Sequence, residues 1–347
     1  MKLAMTLNYS GDFKADVIRV QELERAGLDL VWVPEAYSFD AISQVGYLAA
    51  TTSTIEIGTG IINVFSRTAS AIAQTAAGCD YVSEGRFVLG LGASGPQVVE
   101  GFHGVAYEHP MPRIREYIEV CRMVWRREPV VYDGSVVQLP LPAGQGTGLA
   151  KPLKLINHPV RAEIPIFWAS VKGKSVAATA RLADGWLPIF YDPAKAADVW
   201  GADLERGLAE RDPARGPLQI SAGGAVAIGE EFAGDGAAAA LDRLRPLYAL
   251  YIGGMGARGS NFYNDLCAGY GYPDAAKQIQ DLYLDGHKEQ AAAAVPRQLL
   301  ADTNLVGSAA EVAERLSAMK AAGDTYLQAN PMTPDPVATI EQLKRLL

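Results

Sequence analysis

The amino-acid sequence predicts a (β/α)8 barrel, the TIM-barrel architecture, with insertions at the C-terminal mouth of the strands. Short apolar segments alternate with amphipathic helical segments along most of the chain, which is typical of parallel α/β folds. A glycine and a charged residue recur between a helix end and the next strand, as in "SEGR" and "LADG". The apolar segments number about eight, the strand count of this barrel.

The first hundred residues predict four strands separated by three helices. These strands are nearly all apolar, as expected when both faces of a parallel sheet are buried. Gly27 follows the first helix, where a left-handed cap favours glycine. The predicted elements are strand 3–7, helix 13–26, strand "LDLVWVPE" (28–35), helix 40–52, strand "IEIGTGII" (55–62), helix 69–83 and strand "RFVLGLG" (86–92).

The second part of the chain predicts four more strands, with helices between them, at 164–170, 184–190, 218–229 and 325–331. Two long insertions interrupt the alternation. The first, about 93–163, holds a loop, the helix "RIREYIEVCRMVW" and an extended segment rich in proline and glycine. The second, about 230–304, is predicted to be mostly helical. No linker divides the chain, so we predict a single domain over residues 1–347.

The composition excludes several classes of function. The 347 residues carry a net charge of -8, whereas binding to nucleic acid or to a membrane surface needs a basic surface. No apolar run reaches the length of a membrane span. The three cysteines are far apart, which favours a reducing, cytoplasmic compartment. The four histidines lack the spacing of metal ligands, so no metal site is predicted.

The fourth strand ends in a motif that matches the dinucleotide-binding fingerprint G-x-G-x-x-G, with Gly90, Gly92 and Gly95. A dinucleotide site needs a helix that begins at the third glycine, because the pyrophosphate binds at its N-terminus. Here Pro96 follows, and the glycines and prolines beyond it predict no long helix before about Arg113. The motif also follows the fourth strand rather than the first. We therefore exclude a Rossmann domain.

A second glycine motif, "VKGKS" (171–175), follows the fifth strand and resembles the end of a Walker A loop. The leading glycine of that loop is absent, since Trp168 stands at its position. The N–H groups and the dipole at the start of the following helix nevertheless favour a phosphate. The alternative is a helix start that carries lysines and binds nothing.

Several stretches together resemble the luciferase-like superfamily and, within it, the oxidoreductases that use the deazaflavin coenzyme F420. The most specific stretch is 55–104, in which helix, strand and loop signals follow the order of that family. The stretch "GGMGARGSNFYNDL" (253–266) resembles a narrower, actinobacterial subgroup. The other stretches are "GLDLVWVPEAYSFDAISQVGYLAA", "VWRREPVVYDG", "KPLKLINHP" and "LADGWLP".

The resemblance implies F420 as cofactor and a bulge at the end of the third strand, often with a cis peptide bond outside proline. The bulge would fall near 60–62, where glycine permits unusual backbone torsions; the alternative is that Gly60 only ends the strand. It also implies that the fourth-strand loop approaches the cofactor ring, and that "VKGKS" holds the cofactor phosphate. The implied cofactor-binding residues are Gly60, Ile61, Asn63, Gly92, Ala93, Ser94, Gly95, Ser170, Val171, Lys172, Gly173, Lys174 and Ser175.

The second strand ends in "PEAY", where many members of the family have an acid followed by histidine. This chain has Glu35 followed by Ala36, so the histidine that could donate a proton is absent. Glu35 and Tyr37 are the remaining catalytic candidates. Glu35 could act as a general acid, or it could only accept hydrogen bonds from nearby loop backbone. The candidates for contact with the substrate or the cofactor tail are Gln97, Arg258 and Asn261.

The predicted function is an F420-dependent oxidoreductase, in which a hydride moves between C5 of the deazaflavin and a small organic substrate. The first alternative is an FMN-dependent monooxygenase or flavin reductase on the same barrel. The second is an F420-binding protein without catalysis. A sugar-phosphate lyase with a Schiff base on Lys174 is less favoured, because Lys174 lies at a helix start. The resemblance also implies a homodimer formed through barrel helices.

Overall fold

A closed barrel of eight parallel strands forms the centre of the protein, whose computed structural model describes residues 1–347. Two short strands form an antiparallel hairpin outside the barrel. In chain order the strands are β1 (Lys2–Thr6), β2 (Leu30–Val33), β3 (Glu56–Thr59), β4 (Ile62–Asn63), β5 (Phe87–Gly92), β6 (Tyr132–Asp133), β7 (Gln138–Leu139), β8 (Ile166–Ala169), β9 (Gly185–Leu187), β10 (Gln219–Ile228), β11 (Leu305–Gly307) and β12 (Tyr326–Pro331).

The barrel is closed because β12 pairs with β1, and β10 pairs with both β9 and β12. From β1 the order runs through β2, β3, β5, β8 and β9, and β4 continues β3 after an interruption. The predicted (β/α)8 barrel is confirmed. The sequence did not predict β11, which pairs with β10 outside the closed path, because three residues are too few to show a strand period. It also predicted a longer sixth strand, 184–190, than the three residues of β9.

Helices cover the outside of the barrel and make up most of the segment 230–304, as predicted. That segment also contains a π-helical turn, Leu250–Gly254. None of the helices combines the length and the apolar character needed to cross a membrane. The α-helices are α1 (Phe13–Arg25), α2 (Ala41–Thr51), α3 (Ala69–Val82), α4 (Pro96–Gly101), α5 (Pro110–Trp125), α6 (Gly173–Leu182), α7 (Ala196–Ala209), α8 (Asp235–Asp242), α9 (Arg245–Ala249), α10 (Phe262–Gly269), α11 (Pro273–Leu284), α12 (Lys288–Ala293), α13 (Arg297–Asp302), α14 (Ala309–Ala321) and α15 (Pro336–Leu346).

The segment after β5 differs from the prediction that no long helix begins before about Arg113. A short helix, α4, begins directly after Gly95, and α5 begins at Pro110. Proline suits the first position of α4 because the N–H that it lacks has no partner there. A helix of six residues is too short for the dinucleotide unit, and β5 is the fourth strand of the barrel. The exclusion of a Rossmann domain therefore stands.

Side chains fill the lower part of the barrel interior. Trp32 packs edge-to-face on Phe167, and Phe167 on Tyr326, with ring centroids 5.3 Å and 5.8 Å apart. At the N-terminal ends of the strands, Lys2 Nζ lies 3.1 Å from Glu56 Oε2, and the Tyr326 hydroxyl donates to the same oxygen. Because these groups close the floor, a ligand must approach from the C-terminal mouth.

An apolar core of 72 buried residues surrounds the barrel. It includes residues of the outer helices and also residues of the helical insertion, such as Ile252, Leu266 and Ile279. The insertion thus shares its buried surface with the barrel. A shared core is expected of one domain, and the assignment of residues 1–347 to a single domain remains a prediction.

Candidate functional site

The third barrel strand is interrupted by a bulge at the mouth. Gly58 pairs with Val88 on β5, and Ile62 pairs with Leu91. Between these two pairs the chain has four residue steps from Gly58 to Ile62 but only three from Val88 to Leu91. One extra residue on one of two paired strands is a β-bulge. The peptide bond Gly60–Ile61, inside the interruption, is cis. Both features lie where the resemblance indicated them.

The glycines of the fourth strand make room for this bulge. A Cβ atom on Gly90 would overlap the carbonyl oxygen of Thr59, and one on Gly92 would lie 2.8 Å from Ile61 Cδ1. The Thr59 hydroxyl donates to the Gly90 carbonyl and accepts from the Gly90 N–H, both at 2.9 Å. It therefore replaces the strand pairing that the bulge removes. No pattern in the sequence indicates this role of Thr59.

We expect Thr59→Val to destabilise the protein by about 2 kcal/mol or more, because a buried N–H and a buried carbonyl of Gly90 both lose their partner. Thr59→Ser keeps the hydroxyl and is the matched control. Urea unfolding followed by circular dichroism measures both free energies of unfolding. Equal stability of the valine variant and the wild type would contradict the role of the hydroxyl.

Asn63 lies beside the bulge with an unsatisfied amide. It ends β4, pairs with Gly92 and is only 4% exposed. Its Oδ1 accepts from the Phe65 N–H at 2.9 Å, whereas its Nδ2 is buried and has no partner. A buried donor without a partner costs free energy. The Asn63 amide is therefore a donor suited to an acceptor atom of a ligand, such as a carbonyl on a flat cofactor ring.

The loop after β5 is held beside Asn63 by an aromatic stack. Ser94 has a φ of 58°, and its carbonyl accepts from the Tyr107 hydroxyl at 3.1 Å. Tyr107 stacks on Phe65 with centroids 5.0 Å apart. The guanidinium of Arg113 lies 4.6 Å from the centre of the Phe65 ring.

Arg113 is a charged residue of this site that the sequence analysis did not select. Its Nη1 donates to the Tyr117 hydroxyl at 3.4 Å, no carboxylate pairs with it, and its buried Nε has no hydrogen-bond partner. The sequence offered one signal, an arginine in the first turn of the helix that follows the fourth-strand loop. A half-buried cation without a counter-charge suits an anionic group of a ligand.

The hydroxyls of the predicted phosphate loop are engaged within the protein. Ser170 is buried, and its Oγ lies 2.8 Å from Thr179 Oγ1. The Ser175 hydroxyl donates to the Lys172 carbonyl at 2.6 Å. What this loop can offer an anion is therefore the N–H groups at the start of α6, the first of which lack helical partners.

Carboxylates lie close to both sides of this helix start. Lys172 Nζ lies 3.4 Å from an oxygen of Asp265, and a Cβ on Gly173 would overlap the Asp203 carboxylate. Lys174 is exposed. A phosphate here would meet negative as well as positive groups, so the fit to a cofactor is better at the bulge than at α6. The phosphate site remains a prediction.

The two catalytic candidates of the second-strand loop differ in their surroundings. Both Glu35 oxygens accept from Arg67, at 2.6 Å and 2.9 Å, and one also accepts from the Ala41 N–H. These contacts favour the alternative in which Glu35 holds the loops together rather than donating a proton. Tyr37 is 61% exposed, and Gln97 is exposed on α4. Their roles remain predictions.

Two of the candidates in the insertion have other partners. Arg258 pairs with Asp281 and Asp285, both at 2.9 Å, so its charge is already compensated. Asn261 accepts from two N–H groups at the start of α10 and donates to two carbonyls of the π-helical turn. No hydrogen-bonding capacity of this side chain is left for a substrate. The contacts of both side chains therefore favour a bracing role within the insertion, and their contact with a substrate or cofactor tail remains a prediction.

The comparison with known families agrees with this geometry, since the description of luciferase-like monooxygenases matches residues 2–326. The chain belongs to the luciferase-like monooxygenase family. Within this family it is 38% identical over 334 residues to a Mycobacterium tuberculosis protein that is named, provisionally, as a coenzyme F420-dependent oxidoreductase. That match covers 94% of each chain.

Two solved structures of similar fold are also enzymes. The F420-dependent tetrahydromethanopterin reductase of Methanopyrus kandleri has a TM-score of 0.79 at 20% identity, covering 100% of this chain and 98% of that one. An F420-dependent secondary alcohol dehydrogenase, solved with an F420–acetone adduct, has a TM-score of 0.73 at 18% identity, with coverages of 100% and 98%. At identities of 20% or less, these two structures support the barrel fold alone. The luciferase-like family assignment and the 38% identical relative identify the chain as an enzyme.

Proposed function

We propose that the protein is an F420-dependent oxidoreductase that transfers a hydride between the deazaflavin and a carbon of a small organic substrate. The observation that carries the proposal is the buried, unpartnered Asn63 amide beside the Gly60–Ile61 bulge. The 38% identical relative, named for the same cofactor, supports it. Bound F420 would supply the hydride chemistry through C5 of its ring.

The residues around the bulge suit a flat ring. Ile61 would lie against one face, and the Asn63 Nδ2 would donate to a ring acceptor. The Phe65–Tyr107 stack would keep water from the site. Arg113 and the start of α6 would bind the anionic groups of the cofactor.

Fluorescence titration of the purified apoprotein with F420, and in parallel with FMN, tests this proposal. We expect F420 to bind in the micromolar range and FMN to bind much more weakly. Tight FMN binding, or oxygen-dependent turnover with reduced FMN, would favour the monooxygenase alternative. Tight F420 binding without hydride exchange to any acceptor would favour the alternative of an F420-binding protein without catalysis. No F420 binding would overturn the proposal.

We also propose that two copies of the chain associate through α2 and α3. Neither helix has an exposed charged residue, since the one charged side chain, Asp80, is fully buried. Tyr47, Tyr81 and Val82 are 49%, 69% and 52% exposed on this face. Apolar exposed surface without charge is typical of an interface between subunits.

We expect Gly78→Arg to convert the proposed dimer to a monomer, because it places a charge on α3 near the exposed Tyr81 and Val82, at a position where an added Cβ would have no neighbour within 4 Å. Gly269→Arg, on α10 and equally open, is the matched control and should leave the dimer intact. Sedimentation velocity measures the mass. A wild-type monomer at micromolar concentration, or a dimeric Gly78→Arg variant, would contradict the interface.

A cytoplasmic location is part of the same proposal. The three cysteines, Cys79, Cys121 and Cys267, are unpaired and buried. Burial raises the pKa of each thiol to about 12, so none is reactive at neutral pH. Free thiols of this kind are typical of proteins in reducing compartments.

A further inference from the structure

Four tyrosines from three separate segments gather above the mouth of the barrel. Tyr9 follows β1, Tyr37 follows β2, and Tyr251 and Tyr263 belong to the helical insertion. The rings of Tyr251 and Tyr263 meet edge-to-face with centroids 4.9 Å apart. The Tyr9 and Tyr251 hydroxyls lie near enough to interact. The cluster joins the strand ends to the insertion.

Further aromatic rings pack against Tyr251. Phe190, which follows β9, lies edge-to-face with Tyr251 at 5.5 Å and stacks on Tyr248 at 4.1 Å. Phe190 has a φ of 50°, and the Tyr270 hydroxyl donates to its carbonyl at 2.8 Å. The backbone is therefore fixed so that the Phe190 ring faces the insertion.

The motif "GGMGARGSNFYNDL" holds Tyr251 in place. Side chains on Gly253 and Gly254 would collide with the ring of Tyr283 on α11, so these glycines let the π-helical turn pack directly against that helix. The Asn264 amide donates to the Ile252 carbonyl at 3.1 Å. With the Asn261 contacts described above, the turn that carries Tyr251 is braced on two sides. π-Helical turns are frequent at functional sites.

The tyrosine cluster adjoins the proposed cofactor site. Burial raises the pKa of Tyr263, and the nearby hydroxyls of Tyr9 and Tyr107 raise it further. Tyr263 therefore lies close to both of these tyrosines. Tyr107 in turn holds the Ser94 loop. Aromatic rings and hydroxyls thus lie between the bulge and the insertion. Of the charged groups here, Glu35 and Arg67 compensate each other, and Arg113, on the Phe65 ring, is the cation already proposed to bind the cofactor.

Tyr251 keeps its proton at neutral pH. Burial, and then the neighbouring hydroxyls of Tyr9 and Tyr263, raise the pKa of Tyr251 above its ordinary value. A protonated phenol donates a hydrogen bond to a carbonyl, and it is a stronger acid than the alcohol that the reduced carbonyl becomes. It can thus supply the proton that the family histidine, replaced here by Ala36, would otherwise provide.

We propose that Tyr251 is the catalytic proton donor, that Tyr9 connects it to solvent, and that the substrate is a neutral carbonyl compound, or its alcohol, with a flat apolar body. This inference rests on the proposed F420-dependent function. In reduction, a hydride from the reduced deazaflavin forms the new C–H bond, the C=O π bond opens, and the Tyr251 proton goes to the oxygen. The carbonyl gains two electrons, the deazaflavin loses them, and Tyr251 regains a proton through Tyr9.

The first measurement separates this inference from the proposed function. Wild type, Tyr251→Phe and Tyr283→Phe are titrated with F420, and all three should bind equally. Tyr283→Phe is the matched control because it removes a hydroxyl on the opposite side of the same turn and keeps the ring that packs on Gly253 and Gly254. If the wild type binds no F420, the proposed function itself fails.

The second measurement uses acetophenone as the probe. With reduced F420, we expect Tyr251→Phe to lower kcat about 100-fold or more, the range of a lost general acid, and Tyr283→Phe to leave it unchanged. Independently of activity, the infrared C=O stretch of bound, carbonyl-labelled acetophenone should lie lower in the wild type than in Tyr251→Phe, because a hydrogen bond weakens the C=O bond.

Each other outcome contradicts a stated part of the inference. If the C=O stretch is the same in the wild type and Tyr251→Phe, Tyr251 does not contact the substrate oxygen. If a wild type that binds F420 neither binds nor reduces acetophenone at millimolar concentration, the proposed substrate class is wrong. If Tyr251→Phe loses F420 binding as well, Tyr251 supports the cofactor site instead.

Discussion

Asn63→Asp is expected to raise the dissociation constant for F420 by about 10- to 100-fold, the cost of one lost hydrogen bond with an unpaired buried group. The substitution keeps Oδ1, which accepts from the Phe65 N–H, and replaces only the unpartnered Nδ2. The donor becomes a second oxygen, which repels an acceptor on the ring. The fluorescence titration used for the wild type measures the change.

Asn157→Asp is the control for charge, because it adds the same negative charge at an exposed position. It should bind F420 like the wild type. Circular dichroism spectra of both variants check that the fold is kept. If Asn63→Asp binds F420 as tightly as the wild type, the amide does not contact the cofactor. The unpartnered amide would then no longer support the proposed function.

The barrel could be predicted from the sequence because its signals are local. Each apolar strand and each helix end with its glycine follows from a few adjacent residues, and the eight strands lie close to their predicted positions. The failures were short elements. Neither the three residues of β11 nor the six of α4 are long enough to show a period, and both depend on neighbours from distant parts of the chain.

The site was harder to predict because it is made by pairings across strands. The bulge was anticipated from family resemblance, but the function of Gly90 becomes clear only beside Thr59. The sequence presents Arg258 as a free cation, whereas the fold places two aspartates from a distant part of the chain beside it. Arg113 was missed for the opposite reason, since its place on the Phe65 ring and its lack of a counter-charge are visible only in three dimensions.

Asp324 makes the stability of the protein depend on pH. It lies just before β12 and is only 6% exposed. No group donates a well-formed hydrogen bond to either carboxyl oxygen, and the Tyr191 hydroxyl nearby lowers the pKa less than burial raises it. Burial raises the pKa of Asp324 from 3.8 to about 7. Between these two values the native state holds a proton that the unfolded chain releases. The free energy of unfolding therefore falls as pH rises through this range, by at most about 1.4 kcal/mol per pH unit.

We expect Asp324→Asn to stabilise the protein by a few kcal/mol at about pH 8 and to change little at about pH 3 or below, where the carboxyl is mostly neutral in both states. The amide has almost the shape of the protonated carboxyl, so packing is retained. Glu205→Gln, an exposed change of the same charge on α7, should show no such dependence. Urea unfolding at a series of pH values measures the difference. A constant gain across the series would reflect better packing rather than relief of a buried charge, and a loss at high pH would mean that the carboxylate is stabilised by a group that the folded chain places beside it.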